Sequence, residues 1–249
     1  MWMQILQAAG LPLIGRAYPS YWEEVLGDFN TRGFHESRLR AGIWWKTNPD
    51  PESGAYLFPD QTQRHLVKVF IEGLTRTDIA FVDRVVGTMR DWRSFTRSFA
   101  SLEQTERDYY SQREVPFPVP ARDLPIPYQW WLLNYELVRD IATRRYPVRL
   151  TTYDRVLRDP PHEIGRMLDW IEVDDPQARR AAIACVEGTL RTPREALAVE
   201  DEVEPDVVEI FDALFDTVDR GEIISPALIG RMNLVQQMLQ ERFHKDHEE

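Results

Sequence analysis

The sequence predicts an α/β fold: a three-layer parallel sheet with helices on its faces, followed by a helical C-terminal extension. Three observations point there. Two short runs, Arg84–Met89 and Val148–Thr152, are rich in β-branched residues, as strands of a sheet buried on both faces are. Each is followed by a segment with apolar residues at helical spacing. From Pro176 onward only the helical spacing recurs.

Taken in order, Met1–Ala9 reads as an amphipathic helix ended near Gly10 and Pro12. Residues 16–63 are irregular, broken by Pro19, Gly33, Pro49, Pro51, Gly54 and Pro59, with short helices expected at Tyr21–Asp28 and Glu36–Ile43. Leu66–Ile71 reads as a strand, Thr77–Val82 as a short helix and Arg84–Met89 as the next strand. Asp91 is a good N-cap for a helix running to about Tyr110. Residues 112–127 hold Pro116, Pro118, Pro120, Pro125 and Pro127, which predicts an extended loop or lid. A helix over Pro127–Arg145, a strand over Val148–Thr152 and a helix over Pro160–Ile171 follow. Helices are then expected at Ala178–Leu190, Asp206–Asp219 and Pro226–Phe243. In the second of these Ile210, Leu214 and Val218 share one side, with Phe211 and Phe215 alongside. The division expected is an α/β domain over 1–195 and an acidic helical extension over 196–249. Those helices are expected to pack on the same domain or to form a homodimer contact.

Composition bounds the function. The net charge is −11, and residues 195–222 hold eleven acidic side chains against Arg220, so the rest of the chain sums to −1. An acidic chain is a poor candidate for nucleic-acid binding. The negative charge is concentrated in the C-terminal region, so it need not repel an anion bound elsewhere. Segments 64–97 and 139–166 each carry seven basic and four acidic residues. The single cysteine, Cys185, excludes an internal disulfide and suits a reducing compartment. No apolar run approaches the roughly 18 residues of a membrane helix, and no basic segment leads an apolar core at the start. The expectation is a soluble cytoplasmic protein. His244, Lys245, Asp246 and His247 read as a solvated tail rather than a metal site.

One stretch carries chemistry. In Val82–Phe99 a strand ends at Arg90 and Ser98 follows about two turns along the next helix. A guanidinium offers a planar fork of donors to phosphate oxygens, and a hydroxyl adds one more. The paired aromatics Trp44-Trp45 and Trp130-Trp131 read as core for one of each pair and as a pocket wall for the other. Lys68, on an otherwise apolar strand, reads either as a strand-edge lysine or as a cation that stabilises negative charge in a site.

The Arg90–Ser98 element resembles the one that holds the 3′-phosphate of 3′-phosphoadenosine 5′-phosphosulfate (PAPS) in sulfotransferases. Three further blocks resemble the bacterial branch of that family in the family's order. They are the opening Trp2–Gly15, the Asn30–Glu36 segment, and Tyr146–Ile171 with its Tyr153-Asp154-Arg155-Val156 and Asp159-Pro160. The resemblance covers roughly residues 1–195. It implies a sheet of the P-loop/sulfotransferase type and transfer of a sulfuryl group from PAPS to a hydroxyl or amine. It also implies a small-molecule acceptor and no metal. Arg90 and Ser98 would hold the 3′-phosphate, Tyr153 would lie near the adenine, and Arg191 would belong to a basic segment closing over the nucleotide.

The acceptor must lose a proton, so a base within reach is required. Cytosolic members place a His soon after the strand that here holds Lys68, and Phe70 occupies about that place. Glu36 matches the family Glu and is the first choice as base. His35 is second, and Glu72 is also nearby. The family's Gly/Ser/Thr-rich loop, which cradles the 5′-phosphosulfate with backbone N–H groups, does not occur in the chain. Met1 falls where that loop would end. Two readings follow: a start placed too late at an internal Met, which is preferred, or a non-catalytic relative that binds without chemistry. A P-loop kinase relative is a third, disfavoured by Arg90, Ser98 and Tyr153.

Overall fold

The computed structural model describes residues 1–17, 22–27, 32–114, 124–186 and 203–245. Arg191, most of the proline-rich stretch, and the Asn30 and Thr31 start of the Asn30–Glu36 block lie outside the described residues.

The protein is mixed α/β and mostly helical, with two small parallel strand pairs. Helix α1 (Trp2–Ala8) buries Trp2, Ile5 and Leu6 and leads to β1 (Leu13–Ile14). After the short helices α2 (Trp22–Leu26) and α3 (Pro59–Thr62) comes β2 (Leu66–Val67), which pairs with β1 in the register Leu13↔Leu66 and Ile14↔Val67. The expected strand to Ile71 stops at Val67 because Ile71 opens α4 (Ile71–Arg76), and Phe70 N–H donates to the Arg40 carbonyl at 2.9 Å instead of to a ladder. The helix expected over Glu36–Ile43 is a single 3-10 turn, Arg38–Ala41. Ser37 Oγ caps its start, and Gly42 ends it at φ +96°. A side chain at Gly42 would meet the Gly73 carbonyl at 2.2 Å, so these two glycines let the turn and α4 touch backbone to backbone.

The second pair is longer. Strand β3 (Val85–Met89) runs parallel to β4 (Val148–Thr152), from Val85↔Val148 to Met89↔Thr152. Helices α5 (Trp92–Gln112) and α6 (Ile126–Arg144) pack on each other between them in sequence. Asp91 caps α5 as expected, its carboxylate accepting from Ser94 N–H at 2.8 Å. Thr152 closes β4 and caps α7 (Tyr153–Arg158), accepting from Arg155 N–H at 3.0 Å. Helices α8 (Pro160–Trp170), α9 (Pro176–Ala184), α10 (Pro205–Arg220) and α11 (Pro226–Lys245) complete the described chain.

The expectation of strands buried on both faces needs correction. Among the described residues the strands form two pairs, and in β3 Met89 is buried while Thr88 beside it is exposed. The pairs share packing rather than a ladder. Leu66 of β2 and Val86 of β3 lie against one apolar cluster of Trp2, Ile5, Val156, Ile164 and Leu168.

The largest core is built on Phe211 of α10. Its ring stacks on Trp131 at 5.1 Å and 11°, lies 5.3 Å from Trp130, and meets Trp92 edge-on at 5.8 Å. Trp130 and Trp131 are both fully buried here, so neither lines an acceptor pocket. The indole N–H of Trp131 donates to Gln236 of α11 at 2.9 Å, which satisfies its buried polar group.

Candidate functional site

Three of the residues singled out in the sequence fall at one kind of place. Lys68 follows β2 directly, Arg90 follows β3, and Tyr153 follows β4. Because Met89 and Thr152 are partners in register, Arg90 and Tyr153 leave the pair side by side at its carboxyl end. The carboxyl ends of parallel strands are where α/β proteins hold ligands.

Glu36 is brought to the first pair by an antiparallel bridge to Arg16, two residues beyond β1, with backbone bonds of 3.0 Å in both directions. Phe34 and His35 N–H groups both donate to the Ala17 carbonyl, at 2.6 and 3.1 Å. Gly33, at φ +86°, lies so close that a side chain there would meet Ala17 Cβ at 2.7 Å. The segment therefore clasps the chain leaving β1 and turns Glu36 inward.

Glu36 is 3% exposed, and both its oxygens are engaged. Oε1 accepts from Lys68 Nζ at 2.7 Å, and Oε2 accepts from Arg40 at 2.7 Å. Lys68 Nζ also donates to the Phe34 carbonyl at 3.2 Å and lies 5.8 Å from the ring centres of both Phe34 and Phe70. A buried carboxylate is costly unless paired and hydrogen-bonded. Two cations meet that requirement. Arg40 was missed in the sequence, although its spacing of four residues from Glu36 is the helical ion-pair spacing.

His35 is buried, and neither ring nitrogen finds a partner with hydrogen-bond geometry. Burial holds its pKa below the usual 6.5; the charges of the Met1 amino group and Lys68 push the same way, and the Arg32 carbonyl opposes them. Burial therefore favours the neutral imidazole over the charged one.

At the second pair, Arg90 Nε donates to Ser94 Oγ at 3.0 Å, and its carbonyl accepts from Trp130 Nε1 at 2.8 Å. A core tryptophan thus fixes the backbone of the candidate phosphate ligand. Ser98 stands one turn beyond Ser94 on α5 and is half-buried, as is Tyr153 at the head of α7. The structure brings Glu36, His35 and Lys68 together at one pair, and Arg90 and Tyr153 together at the other.

Two acidic residues of α10 reach the second strand pair. From α10, Asp212 accepts from Trp92 Nε1 at 2.8 Å and from Arg93 at 2.7 and 3.1 Å. Asp219 accepts from the Thr152 hydroxyl and from Arg158 at 2.9 Å. These carboxylates fasten the two junctions that flank Arg90 and Tyr153, and they neutralise guanidinium groups there. Among the described residues no cluster of His, Cys, Asp and Glu is placed to hold a metal ion, and no helix is long and apolar enough to cross a membrane.

Comparison with known proteins returned no matching family model, no matching curated protein and no matching solved structure.

Proposed function

We propose that this chain is a sulfotransferase-like protein of the cytoplasm that moves a sulfuryl group from PAPS to a hydroxyl or amine of a small acceptor. The observation that supports it best is the common placement of Lys68, Arg90 and Tyr153 directly after parallel strands, with Glu36 held against Lys68. The proposal includes the finer fold, in which the two strand pairs are parts of one three-layer sheet of the P-loop type.

In this reading Arg90 and Ser98 donate to the 3′-phosphate, and Tyr153 packs near the adenine. Arg191, outside the described residues, is the further nucleotide ligand that the resemblance implies. The bond from sulfur to the phosphate oxygen breaks, a bond from sulfur to the acceptor atom forms, and 3′-phosphoadenosine 5′-phosphate leaves. The acceptor's proton goes to Glu36 or, if Glu36 stays paired, to the unclaimed nitrogen of His35. Lys68 meets the negative charge on the sulfuryl oxygens and in doing so frees one oxygen of Glu36.

A second reading, nucleotide binding without chemistry, is favoured by one observation: both oxygens of Glu36 are already held by cations.

Calorimetric titration with 3′-phosphoadenosine 5′-phosphate tests the site. Arg90→Ala is expected to weaken binding by about 2–3 kcal/mol through lost charged hydrogen bonds, and Ser98→Ala by about 1 kcal/mol. Unchanged affinity in Arg90→Ala sinks the assignment. Binding without transfer from labelled PAPS to any acceptor selects the second reading.

A further inference from the structure

A cavity of about 450 Å³ lies between β4, α6, α8 and the turn joining α10 to α11. Its volume is that of a small-molecule site. The walls are largely apolar, with Val138 and Ile141 from α6, Val148 from β4, Met167 from α8, and Ile224 and Ile229 from beyond α10.

Two features of the polar lining point to what fills it. The first is Thr151, which is 3% exposed and whose hydroxyl has no hydrogen-bond partner. Its neighbour Thr152 uses the same group to bind Asp219 and to cap α7. Buried polar atoms are nearly always paired in native proteins, so an unpaired hydroxyl in a cavity wall is a place for a ligand's acceptor. The second is charge. Arg149, Arg155 and Arg166 line the cavity against Glu163 and Glu222. Glu163 is 2.7 Å from Arg155 and 4.0 Å from Arg166, and Glu222 is bound by Arg220 at 2.8 Å outside the cavity. The wall therefore carries more guanidinium than free carboxylate. Arg166 is about half exposed and stands where a charged head would meet water.

We infer that this cavity binds an amphipathic carboxylate: a slim alkyl body packs against the walls given by Val138, Ile141 and Met167, and the carboxylate accepts from Arg166 and the Thr151 hydroxyl. This site is separate from the strand-end residues, and the inference stands whether or not they bind PAPS.

Decanoate, used as free monomer, is the probe. Calorimetry on the full chain is expected to show binding, with a rise in melting temperature. Arg166→Gln is expected to weaken it about tenfold and Thr151→Val about fivefold, through lost charged and neutral hydrogen bonds respectively. Thr151→Val is also expected to melt higher than wild type without ligand, because it removes an unpaired buried hydroxyl. Ile141→Trp fills the space and is expected to abolish binding, with far-UV circular dichroism checking that it folds. If it does not fold, the other two variants decide. Glu36→Gln is expected to bind decanoate as wild type does. The inference is overturned if decanoate gives neither heat nor a melting shift. It is overturned equally if folded Ile141→Trp binds like wild type, if both polar variants do so, or if decyltrimethylammonium binds as well as decanoate.

Discussion

Glu36 and Lys68, 32 residues apart in sequence, meet at 2.7 Å around a carboxylate that is almost fully buried. The contact ties the segment leaving β1 to the residue leaving β2, so it holds the carboxyl ends of the first strand pair together. Lys68→Met is expected to destabilise the protein by about 3 kcal/mol, near the lower end for breaking a buried pair, because Arg40 still holds the other oxygen. In urea unfolding, the double variant with Glu36→Gln should lose less than the two single losses added. Strict additivity shows that the pair is not coupled.

If Glu36 takes the acceptor proton, Glu36→Gln keeps nucleotide affinity and lowers kcat by about 10²–10⁴-fold. His35→Asn is the paired measurement. Full activity in Glu36→Gln with a dead His35→Asn moves the base to the imidazole. Activity in both moves it to Glu72.

His35 also makes stability depend on pH. Its folded pKa lies below the usual 6.5, so the unfolded chain takes up a proton first as the pH falls. The contribution of the neutral imidazole is complete above about pH 6.5 and is lost as the pH drops through the folded value. His35→Gln is expected to flatten the slope of unfolding free energy against pH in that window. A slope equal to wild type rules out His35 as its source.

Phe211→Ala is expected to cost about 3–5 kcal/mol, as for other large buried aromatics. It should reduce near-UV circular dichroism as well, since the ring contacts Trp92, Trp130 and Trp131. A loss below about 1 kcal/mol would place the core elsewhere.

Asp212→Asn removes the carboxylate on Arg93 and is expected to raise affinity for 3′-phosphoadenosine 5′-phosphate. The gain should shrink with added salt, because part of it is screened. Lower affinity instead would mean that Asp212 is needed to shape the site rather than competing with the anion.

Much of the fold could be read locally. The Val148–Thr152 strand, the Asp91 cap and the helices from Trp92, Ile126, Pro160 and Pro205 all depend on neighbours in sequence, and each stands within a few residues of its expected place. What sequence did not show depends on distant partners. Leu66–Ile71 looks like a strand until Arg40 takes the Phe70 amide. Trp130 and Trp131 look divisible between core and pocket until Phe211, eighty residues on, fills the space against both. Glu36, His35 and Lys68 could be named singly, but nothing local predicts that Arg40 closes the second oxygen of Glu36. The acidic run was visible as charge alone, and the reach of Asp212 and Asp219 to Arg93 and Arg158 follows from the buried face of α10, not from composition.

The two tethers of α10 carry a consequence of their own. Arg93 and Arg158 cannot serve a bound phosphate and hold Asp212 and Asp219 fully at the same time. By thermodynamic reciprocity, an anion that draws on those guanidiniums loosens α10, and whatever firms that helix weakens the anion's hold by the same factor. Occupancy at the strand ends would then be legible at a distance, as faster amide exchange along α10.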